Sequence, residues 1–258
     1  MSDPVAFRDI VVVGGGCYGS FYAGQLLRAR SRGAATWERL LLVDHDRGCR
    51  AAAEGVEGPG VELRVEEWDR FFDDYLGTGS PGPDAIVPSP LMPHLMFDWL
   101  LRTARRRWPG RTVTQRPAEV ASGMPYDRLH TDGTRYVSFA DWLCPVHCVE
   151  PATCPVIAAP RTWEMSDALA EFTERLGRHG AVSGPVLFVC RHRAYGVGMF
   201  DVVEVLAGNE LVASAGAAGV EMDVVVGTVS SCHGAVSLLH LGPTAGGRSI
   251  AGSPYIPA

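Results

Sequence analysis

The chain has 258 residues and a formal net charge of −6 at pH 7, with 47% hydrophobic and 20% charged residues, which is ordinary for a globular protein of one large or two smaller domains. No apolar run approaches the ~20 residues that a membrane span needs, and the acidic balance offers no general attraction for nucleic acid. All 23 lysine-plus-arginine positions are arginine, which excludes Schiff-base lysine chemistry and a phosphate-binding P-loop.

The N-terminal stretch MSDPVAFRDIVVVGGG passes from a short polar leader directly into a strand-like run, without the zones of a secretory signal. The sequence therefore predicts a cytoplasmic protein. Because a reducing cytosol disfavours structural disulfides, the seven cysteines point instead to metal binding or to reactive thiols.

A glycine motif follows the first predicted strand. The β-branched run after Asp9 ends in GGGCYG, which fits the pattern G-x-G-x-x-G and precedes a predicted helix running to about Arg32. In a dinucleotide site, Gly14 permits the tight turn, Gly16 lets the backbone approach a pyrophosphate, and Gly19 allows close packing of helix on strand. The free N–H groups of the helix N-terminus then face the phosphates.

An acidic residue ends the second predicted strand. Leu40 to Val43 form a buried run that stops at Asp44, close to the spacing at which an acid accepts hydrogen bonds from a ribose hydroxyl. This favours NAD, whereas Arg47 and Arg50 keep NADP open because they could offset a 2′-phosphate.

The pattern continues with a third strand at Val61 to Val65, a fourth between Pro83 and Pro90, and a helix from about Pro93 to Arg107.

The stretch DAIVPSPLMPHLMFDWLL resembles the fourth strand and following helix of Rossmann dehydrogenases of the glucose-fructose oxidoreductase type. That resemblance implies that Pro90 lies against the cofactor and that His94 lies near the nicotinamide. Members of that family usually have a catalytic lysine in a Glu-Lys-Pro motif, which this chain lacks, so their sugar oxidation is not implied. His94 would otherwise cap or pack the helix.

A domain boundary is predicted near Arg116, after a fifth strand at Arg111 to Thr114. The second half contains a helix from Trp163 to Arg178 and two apolar strands, Val186 to Val189 and Val224 to Val229. Each of these strands leads into a Cys/His pair. If they are parallel neighbours, both pairs emerge at one edge of a sheet.

Cysteine and histidine cluster in this half, beginning with the stretch CPVHCVEPATCP. Thiolate and imidazole are ligands that zinc and iron–sulfur centres prefer. The candidate metal ligands are Cys144, Cys148, Cys154, Cys190, His192, Cys232 and His233. The C-x3-C-x5-C spacing matches no standard motif, so the choice between an iron–sulfur cluster and zinc stays open, as do a redox-active thiol and simple apolar packing. Cys17 and Cys49 are expected only to pack.

Candidate catalytic residues are His94, His147 and Tyr195. Tyr195 begins a Tyr-Gly-Val-Gly stretch, ahead of a helix predicted at Phe200 to Leu206, whose glycines would let backbone N–H groups face an anion. A plain flexible turn would give the same pattern.

The sequence thus predicts an α/β protein. Residues 1–115 would form a Rossmann-like, doubly wound parallel sheet that binds NAD or NADP, and residues 116–258 a smaller α/β or α+β domain with the Cys/His cluster. The predicted function is an NAD(P)-dependent oxidoreductase with an iron–sulfur or zinc centre. A non-catalytic nucleotide- and metal-binding module and a thiol enzyme are the alternatives. The expected partners are a small-molecule substrate and a redox partner or second copy of the chain, with no nucleic acid and no membrane.

Overall fold

The computed structural model describes residues 3–79, 82–145 and 148–244. In chain order its elements are β1 (Val5–Ala6), β2 (Asp9–Val13), α1 (Cys17–Ser31), β3 (Ala35–Thr36), β4 (Arg39–Asp44), α2 (Arg50–Ala53), β5 (Val61–Val65), α3 (Trp68–Gly77), β6 (Ala85–Val87), α4 (Leu95–Arg107), β7 (Val113–Arg116) and β8 (Tyr126–Leu129). They continue with β9 (Arg135–Ser138), β10 (Thr153–Cys154), β11 (Ala159–Pro160), α5 (Met165–Gly177), β12 (Val182–Val189), β13 (Arg191–Ala194), β14 (Val197–Asp201), α6 (Val202–Ala217), β15 (Met222–Val229) and β16 (His233–Leu241).

The chain divides into two compact units, each assembled from three stretches. The first unit contains Met1–Leu95, Trp142–Thr162 and Phe188–Ala207, and the second contains Met96–Asp141, Trp163–Leu187 and Gly208–Ala258. The boundary predicted near Arg116 lies inside the first stretch of the second unit. Among the helices of the described ranges, none is long and apolar enough to cross a bilayer.

The first unit is built on a six-stranded sheet in the order β13-β14-β6-β2-β4-β5. Four of these strands are parallel, with Ile10 of β2 opposite Leu40 of β4 and Ala85 of β6. The parallel strands, in chain order, are β2, β4, β5 and β6. Numbered 1 to 4 in that order, they lie side by side as 3-2-1-4. Every residue of β2 is buried, as expected for a strand covered on both faces.

Two buried carboxylates close the amino-terminal edge of this sheet. Asp9, with no exposed surface, accepts two hydrogen bonds from the Arg39 guanidinium, at 2.8 and 2.5 Å, and one from the Tyr75 hydroxyl at 3.3 Å. Asp84 pairs in the same bidentate way with Arg8. Burial and the two carboxylates raise the pKa of Tyr75. These pairs neutralise charges that burial alone would strongly disfavour.

The second unit contains a six-stranded sheet in which β16 is central. It pairs antiparallel along its whole length with β15, and on its other side with β9 and then with β7. Strand β12 neighbours β15, so the two strands that precede the Cys/His pairs are adjacent. The helix α5 buries Met165, Leu169, Phe172 and Leu176, which share one face of the helix predicted from Trp163 to Arg178.

Two sequence expectations are corrected by this topology. The strand predicted at Arg111 to Thr114 is Val113–Arg116, and it pairs with β16 instead of extending the parallel sheet. The helix predicted at Phe200 to Leu206 begins at Val202 and continues to Ala217, because Val197–Asp201 is a strand paired with β6. A short β-rich run after a turn does not reveal its strand partner, and the pairing decides its conformation.

Candidate functional site

The glycine turn, Gly14–Gly19, connects β2 to α1 at the carboxyl edge of the parallel strands. Gly14 has φ +85°, a left-handed conformation that glycine adopts without steric cost, and its N–H donates to the Val43 carbonyl over 2.8 Å. A Cβ on Gly19 would lie 1.7 Å from the Gly14 carbonyl oxygen. The turn and the helix therefore pack closely enough that only glycine fits at position 19.

The middle of the turn is open. A Cβ on Gly16 would meet no heavy atom within 4 Å. Gly16 is also the N-cap of α1 and lacks a side chain to occupy the first N–H groups of the helix. Backbone N–H groups at a helix start attract anions because the helix dipole and the unsatisfied donors act together.

Asp44 is the last residue of β4 and is joined to the turn. One of its carboxylate oxygens accepts the Gly15 N–H at 2.7 Å, and the other accepts the Asp46 N–H at 2.8 Å. The residue is only 8% exposed. A carboxylate has about four lone-pair positions, so both oxygens keep capacity for a further donor such as a ribose hydroxyl.

Three further residues border the turn, and the sequence did not indicate that they lie against its glycines. Cys49 lies against Gly15, where an added Cβ would be 2.4 Å from its sulfur. The indole of Trp68 lies beside Gly14 and donates to the Val43 carbonyl at 2.9 Å. Arg50 donates to the Cys17 sulfur over 3.1 Å at the start of α1. The residues come from positions distant in the chain, so only the fold brings them to the turn.

A groove of about 380 Å³ runs along the exposed side of α1 in the first unit. It is lined by Cys17, Ser20, Phe21, Gly24, Leu27, Arg28, Arg50 and Glu54–Glu57. Arg50 pairs there with Glu54 at 2.5 Å. The groove thus combines apolar surface with charged groups directly beside the helix start.

Three other predicted site residues follow strand ends at the same sheet edge. Pro90 is exposed and His94 is buried, both after the carboxyl end of β6. Tyr195 forms the tip of the β13–β14 hairpin with φ +48°, and its carbonyl accepts from the Gln25 side chain at 3.2 Å. A positive φ in a bulky residue is uncommon and marks a constrained backbone. Because β14 runs antiparallel to β6, this tip lies at the carboxyl edge.

The cysteine segment, Trp142–Thr162, contains three candidate ligands and belongs to the first unit. Cys148 accepts the Glu150 N–H on its sulfur at 3.4 Å, and Cys154 lies in the two-residue pairing of β10 with β11. Partial burial raises the pKa of the Cys144 thiol, and the neighbouring Cys148, Cys154 and Glu150 raise it further, whereas the Trp142 indole acts in the opposite direction.

Cys190 and His192, at the start of β13, belong to the same unit. Burial, followed by the Glu204 and Glu150 carboxylates, raises the pKa of Cys190 to about 12, against an opposing effect of Arg191. His192 is exposed, and its Nδ1 lies 2.9 Å from the Gly196 carbonyl oxygen. Since a carbonyl only accepts, Nδ1 is the protonated nitrogen, which leaves Nε2 able to bind a metal in the neutral ring.

The remaining ligand candidates, Cys232 and His233, belong to the second unit. The Cys232 sulfur accepts the Trp163 indole N–H at 3.3 Å. His147 lies outside the described residues. Within the ranges 3–79, 82–145 and 148–244, no three His, Cys, Asp or Glu side chains are gathered as a metal-binding group, so the predicted Cys/His cluster is not assembled as one site.

The fold and these residues define a mixed α/β protein with a glycine turn, a buried acid and a strained hairpin tip at one edge of a parallel sheet. The chain belongs to the AF_1314_C family, described as "Uncharacterized protein, C-terminal domain", whose model matches residues 96–242. The matched range includes the cysteine segment and the β13–β14 hairpin as well as most of the second unit. No curated protein and no solved structure matches the chain.

Proposed function

We propose that the first unit is a Rossmann-like dinucleotide-binding domain and that the chain is an NAD(P)-dependent oxidoreductase acting on a small molecule in the cytoplasm. The observation that supports this most is the glycine turn. It follows the first strand of a parallel sheet ordered 3-2-1-4, with no room for a Cβ at Gly19 and open space at Gly16. That combination suits a pyrophosphate on the start of α1.

The chain's own residues would divide the binding task. The N–H groups at the start of α1 would hold the pyrophosphate, and the Asp44 carboxylate would accept from the adenosine ribose. Asp44 is held in place by Gly15 and Asp46, so it is oriented before a ligand arrives. An acid here favours NAD, since a 2′-phosphate would meet a like charge. The bound nicotinamide would supply or take up a hydride.

The candidates for the reacting end are His94 and Tyr195. Both follow strand ends at the carboxyl edge of the sheet, where open α/β sheets bind their ligands. The buried His94 would orient or protonate a substrate oxygen, and the exposed Tyr195 would line the entrance. The chain has no lysine, so His94 and Tyr195 would each be a candidate for proton transfer.

The test is a titration of the purified chain with NADH and, separately, with NADPH, following nicotinamide fluorescence. Gly16→Val should weaken binding by about tenfold or more, which corresponds to about 1.4 kcal/mol, because its side chain would fill the space of the pyrophosphate. Gly77→Val is the matched control, since a Cβ on Gly77, at the end of α3, also meets nothing within 4 Å. Equal binding by the two variants would contradict the proposed site, as would an unchanged signal with the native chain.

A further inference from the structure

The groove along α1 has the volume of a small-molecule site and is not explained by dinucleotide binding. Its volume is about 380 Å³, and proteins bind small ligands in pockets of roughly 300–1,000 Å³. All of its lining residues lie between Cys17 and Glu57, so the groove belongs wholly to the first unit. Neither Gly16 nor Asp44, which the proposed dinucleotide site requires, is among them. The groove is therefore a second candidate site.

Hydrogen bonds join the two walls of the groove at both ends. Near the start of α1, the Ser20 hydroxyl and the Arg50 guanidinium both donate to the Glu54 carboxylate. Near the end of α1, the Arg30 guanidinium donates to the Pro59 carbonyl over 2.7 Å. These bonds join α1 to α2 and to the residues that follow α2. The groove is therefore formed before a ligand binds, as is usual for small-molecule sites.

Part of the lining is apolar. Leu27 and Val56 pack against the buried core of the unit and present their remaining surface to the groove, and Phe21 is 39% exposed. Gly24 leaves open space on the helix between Phe21 and Leu27, because an added Cβ there would have its nearest contact at 3.9 Å, with the Arg28 guanidinium. An apolar group of a ligand would remove this surface from water, which is favourable.

Two opposite charges in the groove have no partner within the described part of the chain. They are the Arg28 guanidinium and the Glu57 carboxylate, neither of which takes part there in a hydrogen bond or an ion pair. The other charged pair in the groove, Arg50 and Glu54, is joined at 2.5 Å and neutralises itself. A guanidinium binds a carboxylate through two parallel N–H···O bonds, and a carboxylate accepts from an ammonium group. The charges left for a ligand are thus one of each sign.

We infer that the groove along α1 binds a free α-amino acid with an apolar side chain. Arg28 binds the carboxylate of this ligand, and Glu57 accepts from its ammonium group. The apolar side chain lies against the exposed part of Phe21 and the neighbouring aliphatic surface of Leu27 and Val56. An amino acid fits because it combines one charge of each sign with an apolar group in one small molecule. The inference rests on the groove alone and does not depend on dinucleotide binding.

The experiment titrates the full chain by calorimetry with three compounds that share one aromatic group. They are L-phenylalanine, 3-phenylpropionate, which lacks the ammonium group, and phenethylamine, which lacks the carboxylate. Phenylalanine should bind about tenfold more tightly than either of the others, because only it satisfies both charges. L-leucine serves as a second apolar amino acid. Equal binding of the three aromatic compounds, or no binding of phenylalanine and leucine at millimolar concentrations, would overturn the inference.

Two substitutions assign the charges. Arg28→Gln should weaken phenylalanine and phenylpropionate about tenfold and leave phenethylamine unchanged, whereas Glu57→Gln should weaken phenylalanine and phenethylamine and leave phenylpropionate unchanged. Both residues are exposed, so the variants should fold like the native chain. Arg32→Gln and Glu38→Gln are the matched controls, because these exposed charges do not line the groove. Equal effects of Arg28→Gln on all three compounds, or similar losses in the controls, would contradict the assignment.

One further variant separates this site from the proposed dinucleotide site. Gly16→Val should keep phenylalanine binding, because Gly16 does not line the groove, even where NADH binding is weakened. Arg28→Gln should show the converse, with NADH binding like that of the native chain. Loss of phenylalanine binding from Gly16→Val would mean that both ligands use one site, and it would overturn the inference of a separate amino-acid site.

Discussion

The backbone N–H of Gly15 donates to the Asp44 carboxylate over 2.7 Å, and this bond joins the turn after β2 to the end of β4. Asp44 is 8% exposed and also accepts the Asp46 N–H. The residue that sequence alone assigns to a ribose is therefore also part of the turn's own structure. Its removal should affect both stability and ligand binding.

Asp44→Ala should lower the free energy of unfolding by about 2 kcal/mol, the range for hydrogen bonds to a charged acceptor, and should weaken NADH binding. Asp46→Ala is the control because Asp46 is exposed and its side chain accepts the nearby Gly48 N–H. Urea unfolding and NADH titration measure the two effects. Native-like NADH binding by Asp44→Ala would show that Asp44 is not part of the proposed dinucleotide site.

Gly19→Ala should destabilise the chain by at least about 1–3 kcal/mol, the usual cost of overpacking. The added methyl would overlap the Gly14 carbonyl, 1.7 Å away, and backbone cannot easily yield. Gly24→Ala lies in the same helix with its nearest contact at 3.9 Å, and it should stabilise by about 0.5–1 kcal/mol because alanine is the better helix former. The pair is compared by urea unfolding. If both substitutions changed the free energy of unfolding in the same direction, the close packing of the turn against the helix would be contradicted.

Arg39→Gln should cost about 2 kcal/mol of stability, since it removes two hydrogen bonds from the fully buried Asp9 carboxylate. Arg70→Gln is the matched substitution at an i,i+4 pair with Glu66 in which the arginine is exposed, where about 0.5 kcal/mol or less is expected. Thermal and urea unfolding provide the comparison. Similar small effects at both positions would show that the edge of the sheet does not depend on the ion pair.

The free energy of unfolding at acid pH should depend on Asp127, which lies in the second unit. Burial acts to raise its pKa, but hydrogen bonds from Ser122 at 2.6 and 2.7 Å and the Arg135 guanidinium lower the pKa overall. A lowered pKa gives stability that is present above the unfolded value of about 3.9 and is lost as the pH falls through the folded value. Asp127→Asn should flatten this part of the unfolding profile. Glu174→Gln, an exposed carboxyl on α5, should leave it unchanged; equal profiles for both variants would contradict the assignment.

Local pattern located the parallel strands and also β12 and β15, which end at the predicted Val189 and Val229, but it did not indicate which strands pair. Val61–Val65 has the predicted bounds, and β4 ends at Asp44 as expected. The strand predicted at Arg111 to Thr114 exists as β7, but it pairs with β16 and not with the parallel strands. The sequence of a single strand does not specify which strand it pairs with. For the stretch beginning at Tyr195, the sequence left an anion-facing loop and a plain turn open, and it did not indicate the attachment to the first sheet through β14.

The sequence by itself determined the glycine turn, the acid that follows the second parallel strand and the spacing of the cysteines, because each depends on residues close together in the chain. Only the tertiary structure decided that Cys49 and Trp68 border the turn, that Asp44 is bonded to Gly15, and that the cysteine segment and Cys190 belong to the same unit as the parallel sheet. These relationships join positions that are far apart in sequence, and they are fixed by strand pairing and burial, which no local pattern records.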